Sequence, residues 1–492
     1  MRNLAVVLGI PIDSLNISET LDRIEQMVQV GRLSGRTHQV ATVNADFVVQ
    51  AQFDPELRYL LQNADLLTAD GMPLVWGARA LGVTLSGRVT GADLVPALAH
   101  RAAERGISIF FLGGEPGVAA QAAALLKKEH PKLRVAGVHS PPFNPILEMD
   151  TSFLEEIRSA RPDILLVAFG NPKQEKWIGM HGRSLGVPVM IGVGGSLDFV
   201  SGHFQRAPKW MQRSGFEWLF RLLQEPRRLF RRYAIDLAIF ASFFLRQWWA
   251  MHASGSHRRP PAADLEIIQE KAILNLRGCI TKESLDVFHP LAQRALKASP
   301  YILVDLAQVE YLDSAAVGQL LELGNQARLA GGQLSLSAIP QSILRVLRLL
   351  KLKNLFPIYS NAEAYLSVQA TKTSATASAT RLPGPSAGQI WTVLKGPRIL
   401  DASTSQDLLD AGVTMLQGNP FVICDLSGTI FLASAGLKAL ASLRQMSLNL
   451  HGEFRVVICS DDALRVIKLE HFDRVLPLYR NFSQAVASKF IS

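Results

Sequence analysis

Asp163-Ile-Leu-Leu-Val-Ala-Phe169 runs straight into Gly170-Asn-Pro-Lys-Gln-Glu175, and the junction between the two stretches sets the fold class. The first is a near-continuous apolar run of strand length. The second gathers small, amide and charged residues where a helix begins. Strands buried on both faces lose the polar alternation of a half-exposed sheet, so a parallel sheet covered by helices is expected. The reading repeats outward. Gln39–Val43, Asp65–Ala69, Ile107–Leu112 and Val187–Val193 read as further strands, with Ala92–Arg105, Val118–Lys128 and Phe153–Ala160 as helices between them. Leu4–Ile10 is expected to be a first strand, since it is short and lacks the cleavage site of a signal peptide.

The chain has 492 residues, 48% hydrophobic and 19% charged, which implies about three globular domains. Its net charge of +9 implies an anionic partner, with nucleotide phosphates, nucleic acid and an anionic membrane all open. Three cysteines at no metal-ligand spacing exclude a disulfide framework and fit a reducing cytoplasm. Residues 1–210 form the expected Rossmann-like α/β core, and 211–252 a helical appendage. Residues 262–370 and 389–492 are repeats: Asp305, Leu344-Arg-Val346, Tyr359 and Asn361 recur at Asp425, Leu464-Arg-Val466, Tyr479 and Asn481. Composition marks residues 253–261 as one linker and 371–388 as another.

Ligands of open parallel sheets bind at the C-terminal strand ends. Here those ends carry Asn44-Ala-Asp46, Asp70-Gly71, Gly113-Gly114, Asn171 to Glu175 and Gly192-Val-Gly194-Gly195. Each glycine pair admits close approach of backbone N–H groups to a phosphate, and each is also an ordinary turn. Asp70 reads equally as a base that takes a proton from an acceptor hydroxyl or as a cap of the helix starting near Met72. Thr90 or Gly91 would cap a helix with Asp93 in its first turn, which leaves Arg88 as an anion clamp. Asn171 to Glu175 would hydrogen-bond a sugar or base, or form a solvated helix start.

In the appendage, Arg221, Arg228 and Arg231 share one helical face provided Pro226 does not break the helix. They would grip a diphosphate or anionic headgroups. Tyr233–Leu245 is too short to span a bilayer and reads as an interfacial helix, with Trp248 and Trp249 near headgroup level. No motif supports nucleic-acid binding.

Seven motifs in order resemble the WecG/TagA/CpsF glycosyltransferases, glycosyltransferase family 26: Asn44-Ala-Asp-Phe47, Thr68-Ala-Asp-Gly71, Gly87-Arg-Val-Thr-Gly-Ala-Asp93, Phe111-Leu-Gly-Gly114, Gly170-Asn-Pro-Lys-Gln-Glu175, Gly192-Val-Gly-Gly195 and Arg206-Ala-Pro208. Glu217-Trp-Leu-Phe-Arg221 with Glu225-Pro226 fits as well. The resemblance implies an inverting transfer, without metal or other cofactor, of an N-acetylmannosamine-type aminosugar. The donor would be a UDP-sugar and the acceptor an undecaprenyl-diphosphate-linked sugar, at the inner face of the cell membrane. It makes Asp70 the base, Asn44 a positioning amide and Gln174 a third active-site residue. Substrate contacts are implied at Thr42, Arg88, Thr90, Asp93, Gly113, Gly114, Asn171, Lys173, Glu175, Gly194 and Gly195. Arg221, Arg228 and Arg231 would hold the diphosphate near the membrane.

Each repeat resembles a STAS domain, through Val304-Asp305 with Leu312-Asp-Ser-Ala-Ala-Val-Gly318 and through Cys424-Asp425 with Leu432-Ala-Ser-Ala-Gly436. The position phosphorylated in regulatory STAS domains is alanine in both copies (Ala315, Ala435), which implies docking of a protein partner more than switching. The competing reading is a non-catalytic UDP-sugar sensor that signals through the STAS pair.

Overall fold

The computed structural model describes residues 2–487 apart from 143, 215–216, 225, 253–258, 269, 368–380 and 384–389. Some helical side chains, Arg221 and Arg228 among them, also lie outside the described residues. The chain opens with a hairpin, β1 (Leu4–Val7) and β2 (Ile10–Asp13), where one strand was expected. Leu8 and Gly9 make a two-residue turn with positive φ at both positions, the geometry that matches strand twist. The hairpin stands apart from the main sheet as its own two-stranded sheet.

There follow α1 (Ile17–Ser34), β3 (His38–Val43), α2 (Ala45–Phe53), α3 (Pro55–Asn63), β4 (Leu66–Ala69), α4 (Met72–Ala80) and α5 (Gly91–Arg105). Next come β5 (Ser108–Gly113), α6 (Val118–Glu129), β6 (Arg134–His139), α7 (Phe153–Ala160), β7 (Ile164–Ala168), α8 (Lys173–Leu185), β8 (Val189–Gly192) and α9 (Ser196–Val200). Strands β3 to β8 form a parallel sheet in the order β4-β3-β8-β7-β5-β6. Strand β6 escaped the sequence reading because Arg134-Val-Ala-Gly-Val-His139 is a half-exposed edge with few large apolar groups. One face of the sheet packs on α1, α5 and α6 through Ile24, Leu98, Phe111 and Ala122. The other packs on α7 and α8 through Phe110, Ile157 and Trp177.

Three helices form the appendage: α10 (Lys209–Ser214), α11 (Glu217–Gln224) and α12 (Pro226–His252). Pro226 opens α12, with residue 225 outside the described residues. Arg221 lies on α11 and Arg228 and Arg231 on α12, and the expected three-arginine face rests on side chains that lie outside the described residues. Trp218 of α11 meets Tyr233 of α12 edge-on, with ring centroids 6.3 Å apart. The apolar stretch of α12 is also not a free interfacial helix. Phe240 and Met251 are buried, and Phe244 packs against α4 at Gly77. Phe230, Leu237, Leu245 and Trp249 on the same helix stay exposed.

The first repeat comprises β9 (Ala262–Ile268), β10 (Lys271–Ile280), α13 (Leu285–Ala298), β11 (Tyr301–Leu312), α14 (Ser314–Leu329), β12 (Gln333–Ser337), α15 (Gln341–Leu349), β13 (Ile358–Tyr359) and α16 (Ala362–Leu366). The second comprises β14 (Arg381–Pro383), β15 (Ile390–Lys395), β16 (Ile399–Leu400), α17 (Ser405–Gly418), β17 (Phe421–Leu426), β18 (Phe431–Leu432), α18 (Ser434–Asn449), β19 (Glu453–Ile458), α19 (Asp461–Leu469), β20 (Leu478–Tyr479) and α20 (Phe482–Ala487). Sheet orders β13-β12-β11-β10-β9 and β20-β19-β17-β15-β14 are the same topology twice. Strand β14 falls inside the stretch expected to be linker. It adds antiparallel to β15 at the sheet edge, where Pro383 costs no ladder bond within the sheet. The remainder of that stretch, like most of 253–261, lies outside the described residues.

Candidate functional site

The sheet order sets the ends of β4, β3, β8, β7 and β5 side by side, so five motifs far apart in sequence share one edge. Asp70 ends β4. Its N–H donates to Val43 O at 2.8 Å, which ties it to the end of β3 where Asn44 stands. A Cβ on Gly71 would lie 3.5 Å from Asn44 Cβ, so the two segments touch. Helix α4 begins at Met72 with Gly71 as N-cap and no side-chain cap. The N-cap position thus falls on Gly71, one residue after Asp70.

Asn44 is itself the N-cap of α2. Its Oδ1 accepts from Phe47 N–H at 3.2 Å, which fixes the side chain beside Asp70. Residues 88–90 are laid along β4 by Val89 N–H to Ala69 O (2.9 Å) and Thr68 Oγ1–H to Val89 O (3.1 Å). Thr90 caps α5, accepting from Asp93 N–H at 3.1 Å and donating to Asp93 Oδ2 at 2.8 Å. Gly91 is required at the helix start, because a Cβ there would sit 2.3 Å from Ser196 Oγ and 3.3 Å from Thr42 Oγ1. This close approach brings the N-termini of α5 and α9 against the end of β3. Helices α2, α5 and α8 all point N-termini at this edge, and such ends attract anions.

Gln174 and Glu175 sit lower. Gln174 is buried, with Oε1 accepting from Gly194 N–H at 2.9 Å and Nε2 donating to Glu175 Oε1 at 2.8 Å. Glycine at 192 makes room for both, since a Cβ would come within 2.6 Å of each side chain. Gln174 thus holds the Gly194 peptide from below. Glu175 is fully buried and Oε2 has no partner. Burial pushes its carboxyl up to about 8, only partly offset by the Gln174 hydrogen bond. It stays protonated at neutral pH.

Lys173 lies at the same helix start, half-buried above the Phe169 ring at 5.6 Å, and desolvation lowers its ammonium below the usual lysine range. Asn171 Nδ2 is 3.4 Å from Asp46 Oδ2, which joins the β7 end to α2. Gly113 has φ +98° and Gly114 φ +76°, and Gly114 N–H donates to Ala168 O at 2.9 Å. A Cβ on Gly113 would meet that same carbonyl at 2.8 Å, so β5 and β7 run flush to their ends.

Arg206 and Glu217 were not singled out as site residues, although both lie in quoted motifs. Arg206 pairs with Asp93 at 2.6 Å and Glu217 at 3.4 Å, and Glu217 pairs with Arg88 at 3.2 Å. This four-charge network fastens α11 to the start of α5. Burial would raise the Asp93 carboxyl, but hydrogen bonds from Arg206 and Thr90 outweigh it and hold it low. Arg231 is exposed on α12. Among the described residues, no group of three or more His, Cys, Asp or Glu is placed to hold a metal ion.

Comparison with known proteins follows these domains. Residues 264–357 match the family described as Mlab, STAS domain, and 390–485 the STAS domain. A solved putative anti-sigma factor antagonist from Thermotoga maritima is 19% identical, covering 24% of this chain and 95% of its own, with TM-score 0.20. The anti-sigma factor antagonist SpoIIAA in its unphosphorylated form is 18% identical over 21% of this chain and 93% of its own, with TM-score 0.20. A mutation variant of SsGBP is 15% identical over 51% of this chain and 88% of its own, with TM-score 0.15. Residues 5–254 match the family described as Glycosyl transferase WecG/TagA/CpsF, and this stretch holds the whole strand-end cleft. The chain accordingly belongs to the WecG/TagA/CpsF glycosyltransferase family and carries two STAS domains behind its transferase domain.

Proposed function

We propose that the transferase moves an N-acetylated aminosugar of N-acetylmannosamine type from UDP to an undecaprenyl-diphosphate-linked sugar, with inversion and without metal, in cell-surface polysaccharide synthesis. The observation that carries this reading is the placement of Asp70. It stands at the end of a buried strand, tied to the end of β3 beside Asn44. A carboxylate there takes the proton from the acceptor hydroxyl as that oxygen attacks the anomeric carbon, and UDP leaves from the opposite face. Developing charge on the diphosphate is met by the N-termini of α5 and α8, the Gly195 backbone and the guanidinium groups of Arg88 and Arg206, both held by Glu217.

A lipid acceptor calls for work at a membrane surface. No helix among the described residues is long and apolar enough to cross a membrane. Exposed Trp210, Trp218, Leu223, Phe230, Leu245 and Trp249 on the appendage supply apolar groups for an inner-face, peripheral attachment.

The test is UDP release with a short-chain lipid-diphosphate-GlcNAc acceptor and a panel of UDP-aminosugars. Asp70→Asn is expected to lower turnover by about 10²- to 10⁴-fold with UDP binding retained. Turnover at the parent rate in that variant would remove Asp70 from its role. Failure of every UDP-aminosugar to turn over would favour the sensor.

A further inference from the structure

The two STAS copies differ at one capping position, and the transferase domain supplies what the second copy lacks. In the first, Asp313 is the N-cap of α14. Its carboxylate accepts from Ala316 N–H at 2.8 Å and from Lys282 N–H at 2.8 Å. The matching residue in the second copy is Ala433, and α18 has no side-chain cap within its own domain. A carboxylate arrives instead from α3. Glu56 Oε1 accepts Ser434 N–H at 2.7 Å, and Glu56 Oε2 accepts Ser434 Oγ–H at 2.6 Å. Glu56 is 2% exposed and Ser434 0%. A carboxylate at that place satisfies orphan N–H donors and faces the positive end of the helix.

The contacts around it belong to the same dock. Tyr59 stacks on Phe431 with ring centroids 3.7 Å apart, and Arg58 reaches Asp462 at 3.1 Å. Lys176 pairs with Glu470 at 2.8 Å, with Asp54 at 2.9 Å and with Glu56 at 3.3 Å. Lys176 is in the first turn of α8, next to Gln174 and Glu175, which hold the Gly192–Gly195 loop. One helical turn is thus gripped by the second STAS domain on one side and grips a strand-end loop of the cleft on the other.

We propose that the second STAS domain is a built-in effector of that loop. It docks by taking Glu56 as the cap of α18, and through Lys176 it fixes the turn of α8 that positions Gly194. A change that lifts the domain away strips Lys176 of Glu470 and Glu56 of Ser434, leaving Lys176 to Asp54 and Glu56 alone and opening this turn of α8 to water. The turn is then less constrained, and the loop loosens with it through Gln174. The proposal concerns the loop and stands apart from the identity of the sugar.

Hydrogen exchange on the full chain tests it, with Ala433→Asp, Glu56→Ala and the double variant. Ala433→Asp gives α18 its own cap, as in the first copy, and sets a second carboxylate against Glu56. Exchange over residues 173–178 and 192–196 is expected to rise at least tenfold in each single variant, a local opening, with β17 and β19 still protected. The double variant caps α18 from within and still lacks the contact with Glu56, so both segments should stay as open as in the single variants, and recovery to the parent would overturn the proposal. Parent-like exchange in these segments in either single variant overturns the proposal. If Ala433→Asp also deprotects β17 and β19, Glu470→Gln decides instead, because it takes the STAS partner from Lys176 and leaves Asp54 and Glu56 in place, and exchange over residues 173–178 should still rise. Since the readout is exchange and not turnover, failure here is separable from failure of the proposed reaction.

Discussion

Replacing Gln174 by Leu keeps the side-chain volume roughly constant and removes two hydrogen bonds. Gly194 N–H loses its acceptor at 2.9 Å, and Glu175 Oε1 loses its donor at 2.8 Å. A buried polar group left without a partner costs about 1–3 kcal/mol. Gly194 N–H is only partly buried, so about 1 kcal/mol is apt, and Glu175, already lacking a partner on Oε2, adds a similar amount. The sum of about 2 kcal/mol corresponds to a roughly 30-fold shift in the equilibrium holding the Gly192–Gly195 loop. If a sugar nucleotide binds only the formed loop, its affinity falls by up to about that factor. Titration calorimetry with UDP reads the affinity, and exchange over residues 192–196 reads the loop itself. Affinity within about threefold of the parent, together with unchanged exchange, would show that the loop is held by other contacts.

Stability should also carry the signature of Glu175. Its proton is held to about pH 8 in the fold but lost in the ordinary carboxylate range when unfolded, so stability falls as pH rises from about 5 to 8. Glu175→Gln should flatten that slope in melts at several pH values, and an identical slope would refute the burial argument. Ser314→Ala leaves buried Val6 N–H without its 2.6 Å acceptor and should cost about 1–3 kcal/mol, read by exchange over residues 2–13. The two faces of α12 should separate: Phe240→Ala costs about 3–5 kcal/mol of stability by leaving a cavity, whereas Trp249→Ala leaves stability intact and weakens binding to anionic vesicles. Equal vesicle binding by the Trp249 variant and the parent would end the case for that face.

The strand ends were legible because each is a local signal. An apolar run that stops at Asp70, Asn44 or Gly192 exposes its chemistry in a few consecutive residues. Parallel topology then gathers such ends on one edge without further information. The depth of Gln174 and Glu175 was not legible, since burial depends on Gly192, a residue on another strand, being small. Nor was the place of Pro226 at the start of α12 decidable from spacing, because proline is favoured at a helix start and disfavoured within one, and the same letter fits both. The α12 aromatics show the same limit. Phe240 and Trp249 are equally apolar, and only α2, α4 and the first STAS domain decide which one water sees.

The interdomain contacts explain why both STAS serines could be seen in the sequence yet not interpreted. Ser434 takes its carboxylate from Glu56, and Ser314 works on backbone. Its Oγ accepts from Val6 N–H at 2.6 Å and donates to Val6 O at 3.0 Å, while Gln247 of α12 donates to the same carbonyl at 2.8 Å and accepts from Leu8 N–H at 2.7 Å. The outer edge of β1 would otherwise present unpaired groups, as any two-stranded hairpin does. Two side chains from later in the chain close it. The hairpin is therefore a joint between transferase, appendage and first STAS domain, which accounts for its separation from the main sheet and for the near-complete burial of Leu4 to Ile12. Equivalent serines of a repeated domain thus meet one transferase at two different surfaces. Docking in this chain is consequently carried by local partners on the transferase, Val6 in one case and Glu56 in the other, and repeat symmetry does not extend to them.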